Sequence, residues 1–278
     1  MTTPDDSAPA VGRKHSTRAR SIAHAVWSYV RRAPGTFVWL AILLITTTVL
    51  NQLSPELTRE VLGNRSTNLH HLSEDPLHVL VASALWLPGE QTWYWSWIWY
   101  AVLFNIFHVP AERWLGTLRW LAVVVIAHVG ATYLSEGILS WEIHHGDAPA
   151  GDMFTLDVGV SYALAGVVAM LAYRIPRPWR FTYAAAVLIW YAIPLLFDQD
   201  FTDVGHFTAV LIGFACYPLA LGRPGSGKLP GPDRLGRRAS PGPRAARPRY
   251  GWPRARRGRS PEAVARQREA TNRRCRSA

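Results

Sequence analysis

Cysteine is scarce in this chain, which excludes the scaffolds that depend on it. The two cysteines, Cys216 and Cys275, lie in an apolar run and in a polar C-terminal segment, and they form no CxxC motif. Two cysteines are too few for a disulfide framework or a thiolate metal site. The histidine pairs at residues 70–71 and 144–145 also lack the ligand spacing of a defined metal site. We therefore predict that the protein holds no metal and needs no cofactor.

Most of the chain lacks an excess of basic charge, although the whole protein has a net charge of +11. From Arg223 onward lie 17 of the 30 basic residues and only 3 of the 19 acidic ones. This segment is rich in Arg, Pro and Gly and has too few large apolar residues to bury a core, which predicts a disordered tail. We expect the tail to contact anionic lipid. Binding of nucleic acid is the less favoured alternative, because no nucleic-acid-binding motif accompanies the charge.

Six stretches are apolar enough to be transmembrane helices, since roughly 18–20 apolar residues span the ~30 Å hydrocarbon core. The more charged residues 57–86 are predicted to form an interfacial loop with short helices. The spans are predicted at residues 36–53, 92–109, 118–134, 156–173, 179–197 and 204–221. We therefore expect an all-α protein with a basic N-terminal segment (1–35), a six-helix transmembrane domain (36–221) and the tail (222–278).

Lys and Arg are absent from one of the loops that connect these spans. Residues 135–155 contain four acidic residues and no Lys or Arg, whereas the loops on the other side are basic. Short cytoplasmic loops are enriched in Lys and Arg. Residues 1–35 are polar and basic and have no apolar core of a cleaved signal. We predict a multi-pass protein of the plasma membrane with both termini in the cytoplasm.

Two polar residues of the predicted spans are candidates for chemistry. Ser161 lies in the fourth span and His206 in the sixth, both near the outer end. Polar residues are costly in hydrocarbon, so each is a hypothesis for a functional site. A serine becomes a good nucleophile when an adjacent base takes its proton. At 1.5 Å of rise per residue, the two residues lie at a similar shallow depth along the membrane normal.

Small residues predict that the fourth and sixth spans touch. Ser161, Ala165 and Ala169 recur every four residues on the fourth span, and Gly205, Ala209 and Gly213 do so on the sixth. Stripes of small residues allow helices to approach closely in lipid. If these faces meet, the serine hydroxyl and the imidazole come within hydrogen-bond reach.

These motifs resemble those of a known family. The sequences GVS at residues 159–161 and GH at residues 205–206 resemble the motifs of the rhomboid family of intramembrane serine proteases. The sequence ERWLGTLR at residues 112–119 resembles the loop that follows the second helix in that family. The resemblance covers about residues 69–221. It implies a six-helix rhomboid-like bundle that hydrolyses peptide bonds of membrane proteins, with Ser161 as nucleophile, His206 as general base and no acidic third member.

The resemblance also implies positions that stabilise the oxyanion. The family has a His and an Asn, four residues apart, on its second helix, and these places fall on Ser96 and Tyr100 in this chain. Gly159 is a third supporting position. The family usually has Gly directly after the serine and Tyr four residues after it, where this chain has Tyr162 and Ala165.

Two functions therefore remain open at the level of sequence. The first is an intramembrane serine endopeptidase that cleaves membrane-protein substrates. The second is a non-catalytic rhomboid-like protein that binds the transmembrane helices of client proteins. Retention of Ser161 and His206 favours the first function, whereas Tyr162, Ser96 and Tyr100 favour the second.

Overall fold

The computed structural model describes residues 11–87, 94–158, 160–197 and 200–224, with side chains from Arg20 onward. Within these ranges the chain is helical and contains no strand. The described residues belong to the first of two units, which ends at Leu229, so nearly all of the predicted tail lies outside them. The α-helices are α1 (Val11–Val30), α2 (Pro34–Leu50), α3 (Pro55–Gly63), α4 (Leu69–Glu74), α5 (Pro76–Ser83), α6 (Trp95–Leu103), α7 (Val109–Leu115), α8 (Thr117–His145), α9 (Val160–Met170), α10 (Trp179–Ala192), α11 (Pro194–Phe197) and α12 (Phe201–Ala215).

The described helices include fewer full-length spans than the six that we predicted. Two of them, Thr117–His145 and Trp179–Phe197, are long and apolar enough to cross a membrane. A third is obtained if Arg20–Val30 and Pro34–Leu50, which meet at a bend of 100°, are counted as one. Val160–Arg174 and Phe201–Ala215 are apolar but shorter. At 1.5 Å per residue, 15 residues reach only about 22 Å, so these two helices fall short of the ~30 Å hydrocarbon core.

The predicted second span is interrupted rather than short. Residues 95–115 run through α6, a π-helical turn at Phe104–His108, and α7. Pro110 is the second residue of α7, where it has no N–H to donate to the preceding turn. A π-helical turn is a local widening that accommodates such a break. No single regular helix in this region is therefore long enough to span the bilayer.

The predicted interfacial loop contains three short helices, as expected. Each begins at a capping side chain, because Ser54, Asn68 and Asp75 accept hydrogen bonds from the backbone N–H three residues later. The loop is attached to α8 through His128, whose Nε2 lies 2.8 Å from the carbonyl oxygen of Leu80 in α5. A mid-helix histidine of the predicted third span thus contacts the first loop.

Three helices form the centre of the bundle. Gly166 of α9 lies so close to α8 that an added Cβ would be 2.3 Å from Cβ of Ala127. Gly213 of α12 is equally close to α9, since a Cβ there would be 2.2 Å from the Gly166 carbonyl oxygen. Glycine is required at these positions because a side chain has no space. Helix α9 therefore packs closely against both α8 and α12.

A buried carboxylate joins α2 to the turn between α7 and α8. Glu112, which is 1% exposed, accepts hydrogen bonds from the backbone N–H groups of Gly35 (2.9 Å) and Thr36 (2.8 Å). It also accepts from the hydroxyls of Thr36 (2.7 Å) and Thr117 (2.8 Å). No side chain next to the start of α2 caps that helix. Glu112 thus satisfies free N–H groups of the first turn of α2 and places negative charge at its positive end.

We expect Glu112→Ala to destabilise the protein by about 3 kcal/mol or more, because it leaves buried donors without an acceptor. The measurement is thermal unfolding of the purified protein in detergent. Glu60→Ala is the matched control, since Glu60 is exposed on α3. Equal melting temperatures for the two variants would contradict this role of Glu112.

Candidate functional site

Ser161 and His206 lie at the same end of two helices that are in contact. Ser161 is the second residue of α9 and His206 is the sixth of α12, and both side chains are half-buried. The helix starts differ from those that we predicted: the predicted spans began at residues 156 and 204, whereas the helices begin at Val160 and Phe201. Next to the two residues, Gly205 of α12 packs against the Tyr162 ring of α9.

The predicted contact between the fourth and sixth spans is confirmed, with one change of face. On α12 the contacts involve the predicted Gly205, Ala209 and Gly213. On α9 they involve Tyr162, Gly166 and Ala169, because a Cβ at Gly205 would be 2.5 Å from the Tyr162 ring and one at Gly213 would be 2.9 Å from Cβ of Ala169. Successive residues of a helix are 100° apart, so Ser161 lies beside this seam rather than on it.

Two tyrosines hold the His206 ring. The Tyr162 ring is 5.0 Å from it, centroid to centroid, in an edge-on arrangement. The Tyr191 ring, from α10, is 6.2 Å away and nearly parallel, with an interplanar angle of 28°. Ala165 has no ring at the position where the family usually has a tyrosine. In this chain Tyr191 of α10 supplies a ring that packs on the histidine. The aromatic support comes from a different helix, which motif spacing on α9 could not reveal.

The pairing of Ser161 with His206 stays a prediction. Within the described residues no hydrogen bond joins the Ser161 hydroxyl to the His206 ring, whose ring contacts are with Tyr162 and Tyr191. Hydrogen bonds between a nucleophile and its base are often long in the absence of substrate. The geometry brings the two residues to one end of one helix pair.

The predicted oxyanion positions Ser96 and Tyr100 lie on α6. Ser96 and Tyr100 are half-buried and four residues apart, which places them on one face of the helix. Tyr100 packs against the core group that contains Tyr162 and that Tyr191 also contacts. Gly159, the third supporting position, lies outside the described residues. Their role in stabilising an oxyanion stays a prediction.

A buried acidic residue beside the candidate site was missed by the sequence analysis. Glu136 is only 1% exposed, because α8 continues to His145 and carries it into the bundle rather than into a loop. It is close enough to Asp157 and to the Tyr162 hydroxyl for electrostatic interaction. Within the described residues neither its carboxylate oxygens nor the Tyr162 hydroxyl has a partner with good hydrogen-bond geometry. The signal available in the sequence was that Glu136 lies only two residues after the end of the predicted third span (residues 118–134).

Asp157 attaches the first loop to the start of α9. Its backbone N–H donates to the Ser66 hydroxyl at 2.7 Å, and its carbonyl oxygen accepts from the Thr67 N–H at 3.0 Å. Its carboxylate accepts from the Thr67 hydroxyl at 3.3 Å. At the start of α12 the capping position is occupied by Asp200, because that helix begins at Phe201, and Asp203 lies in its first turn.

The structure describes no metal centre at this place. Among the described residues no group of three or more His, Cys, Asp or Glu side chains is arranged to hold a metal ion. The described site contains a hydroxyl, an imidazole, phenols and buried carboxylates.

We expect Gly205→Ala to destabilise the protein, because its new methyl group would overlap the Tyr162 ring and push α9 from α12. Overpacking of this kind typically costs ~1–3 kcal/mol. Gly137→Ala is the matched control, since nothing lies within 4 Å of a Cβ at that helical position. The measurement is again thermal unfolding in detergent.

Adding Tyr162→Ala to the Gly205→Ala variant tests the origin of the effect. The second change removes the ring that the methyl group meets, so the two substitutions together should cost less than the sum of their separate effects. Additive effects would show that Gly205 does not face Tyr162.

Comparison with known proteins gives one match. A family model described as "Rhomboid-like protein" matches residues 28–226, which is most of the chain and includes α2 to α12. No curated protein and no solved structure matches the chain.

Proposed function

The chain belongs to the rhomboid-like family of membrane proteins, and on that premise we propose that it is an intramembrane serine endopeptidase. Its substrates would be other membrane proteins, cleaved near the outer end of α9 and α12. One observation carries the proposal: Ser161 directly precedes the tyrosine whose ring lies 5.0 Å from the His206 ring. A hydroxyl and an imidazole thus occupy one end of a tightly packed helix pair.

In this proposal the Ser161 hydroxyl oxygen attacks the carbonyl carbon of the scissile peptide bond, and His206 accepts the hydroxyl proton. His206 then donates this proton to the leaving amine as the C–N bond breaks. Water hydrolyses the acyl-serine ester, with His206 again as the base. Ser96 and Tyr100 would donate hydrogen bonds to the developing oxyanion, where one lost donor typically costs ~100–1,000-fold in rate.

We expect a fluorophosphonate probe to label the wild-type protein in membranes, and Ser161→Ala and His206→Ala to abolish the labelling. The probe reacts only with a serine that a base activates. Ser140→Ala, which alters a half-buried serine of α8, is the matched control and should be labelled like the wild type. Absence of Ser161-dependent labelling in protein with a wild-type melting temperature would rule out the peptidase.

The alternative is a non-catalytic rhomboid-like protein that binds transmembrane helices of client proteins. It is favoured by the packing of Tyr162 and Tyr191 on the His206 ring and by the absence, within the described residues, of a hydrogen bond between His206 and Ser161. This second function would be supported if a membrane protein still co-purifies with the Ser161→Ala and His206→Ala variants and the fluorophosphonate probe does not label the wild-type protein.

We also propose six membrane crossings, with both termini in the cytoplasm of the plasma membrane. The crossings would be α2, residues 95–115, α8, residues 160–174, residues 179–197 and α12. Basic residues in the segments that join them on one side support this orientation. In this arrangement the basic tail meets the anionic inner leaflet.

We expect a green fluorescent protein fused after Ala278 to be fluorescent and an alkaline phosphatase fused there to be inactive. The same reporters inserted after Asp147, in the acidic loop between α8 and α9, should give the opposite result. The proposal places three crossings between the two positions, so they lie on opposite sides of the membrane. Equal reporter activity at both positions would place them on the same side and would contradict the proposed topology.

A further inference from the structure

The helix α1, which precedes the predicted first span, has an exposed apolar face. Within its described part, Ile22, Val26 and Trp27 are 57%, 57% and 60% exposed. Their spacing, together with Val30, places them on one side of the helix. The apolar face is thus not buried by the described part of the protein.

The rest of this helix is polar and basic. Arg20, seven residues before Trp27, borders the apolar face, whereas His24 lies farther round the helix, and both are exposed. The exposed Arg31 and Arg32 follow in the turn to α2. The whole of α1 contains four Lys or Arg residues and no Asp or Glu. A helix with this charge does not enter the hydrocarbon core as a span, because each central Lys or Arg is costly there.

The direction of α1 is set by a bend and by contacts at its C-terminal end. Residues Arg20–Val30 are bent by 100° from Pro34–Leu50, so α1 runs across the direction of α2. The Tyr29 hydroxyl donates to the Asn105 side-chain oxygen at 3.1 Å, and the Arg113 guanidinium donates to the Tyr29 carbonyl oxygen at 2.8 Å. That guanidinium also lies over the Tyr29 ring at 4.0 Å. These contacts attach the C-terminal end of α1 to the π-helical turn at Phe104–His108 and to α7. They leave the apolar face of α1 exposed.

We propose that α1 is an interfacial helix that binds the surface of an anionic membrane. If α2 crosses the bilayer, a helix bent by 100° from it lies close to the membrane plane. Its apolar face would then enter the boundary between headgroups and acyl chains, and its basic residues would pair with lipid phosphates. An amphipathic helix with Trp on one face and basic residues on the other is typical of this location.

Charge complementarity is the reason to prefer a lipid surface over a second copy of the chain. The polar residues next to the apolar face are basic, and an interface between two copies of α1 would bring like charges together. Anionic lipid supplies opposite charge to all of them at once. This inference concerns residues 11–32 and does not depend on whether Ser161 reacts.

The test uses the full-length protein with Cys275→Ser, in which Cys216 is buried and gives little labelling background. Val26→Cys and His24→Cys place an environment-sensitive fluorophore on the apolar and the polar face of one helix. The labelled proteins are reconstituted in phosphatidylcholine vesicles with and without phosphatidylglycerol. Quenchers are aqueous iodide and lipids that carry a spin label at a shallow or a deep position.

We expect the fluorophore at position 26 to be quenched by the shallow spin label, and more so with phosphatidylglycerol, while the one at position 24 is quenched by iodide. Three results would overturn the proposal. Equal iodide access at both positions would place α1 in water. Shielding of position 26 from every quencher would show that protein covers the apolar face. Quenching by the deep label would show that α1 enters the bilayer as part of a bent span.

The role of charge is tested with a variant that combines Arg20→Gln, Arg31→Gln and Arg32→Gln. Shallow quenching at position 26 should lose its dependence on phosphatidylglycerol in this variant. Replacing Arg59, Arg65 and Arg174, which lie outside α1, is the matched control and should leave that dependence unchanged. A triple variant of α1 that keeps the full dependence would show that its basic residues do not bind anionic lipid.

Discussion

The Glu112 carboxylate is the interaction on which the arrangement of the N-terminal half depends. It is buried, it lies at the junction of α7 and α8, and it accepts from the first turn of α2 and from Thr117. A charge taken out of water is tolerated only when its acceptor sites are filled. The three helix ends must therefore stay together, and Gly35 allows this approach because a Cβ there would be 2.5 Å from the Trp120 ring.

The second constraint is the absence of space between α8, α9 and α12. Glycines at positions 166, 205 and 213 leave no room for a side chain, because they face the Ala127 methyl group, the Tyr162 ring and the Gly166 carbonyl oxygen, respectively. Such close packing is what associates helices in a bilayer, where lipid tails supply no hydrophobic driving force between them. The same contact fixes the register of Tyr162 against His206. The geometry of the candidate site is thus a consequence of helix packing, since Ser161 and His206 are positioned by their neighbours and not by a bond between them.

Hydropathy and motif spacing predicted the helical class, the short helices of the first loop, and the helices that carry Ser161 and His206. They did not predict the interruption at Phe104–His108, the continuation of α8 to His145, or the burial of Glu136. Hydropathy is averaged over a window about as long as one transmembrane span. Such an average detects neither a π-helical turn nor a single acidic residue that is buried in a bundle. In the sequence Tyr162 was only a departure from the glycine that the family usually has there, whereas in the structure its ring packs on His206.

The sequence alone determined what its local patterns can encode: apolar stretches, the uneven charge of the loops, the small-residue stripe of α12, and the order of the serine and histidine motifs. The tertiary structure decided which face of α9 meets α12, which ring from α10 stacks on His206, where the Glu112 carboxylate is used, and how α1 leaves α2 at 100°. These features join residues far apart in the chain. Their energies depend on distances between helices, and no local pattern of residues contains those distances.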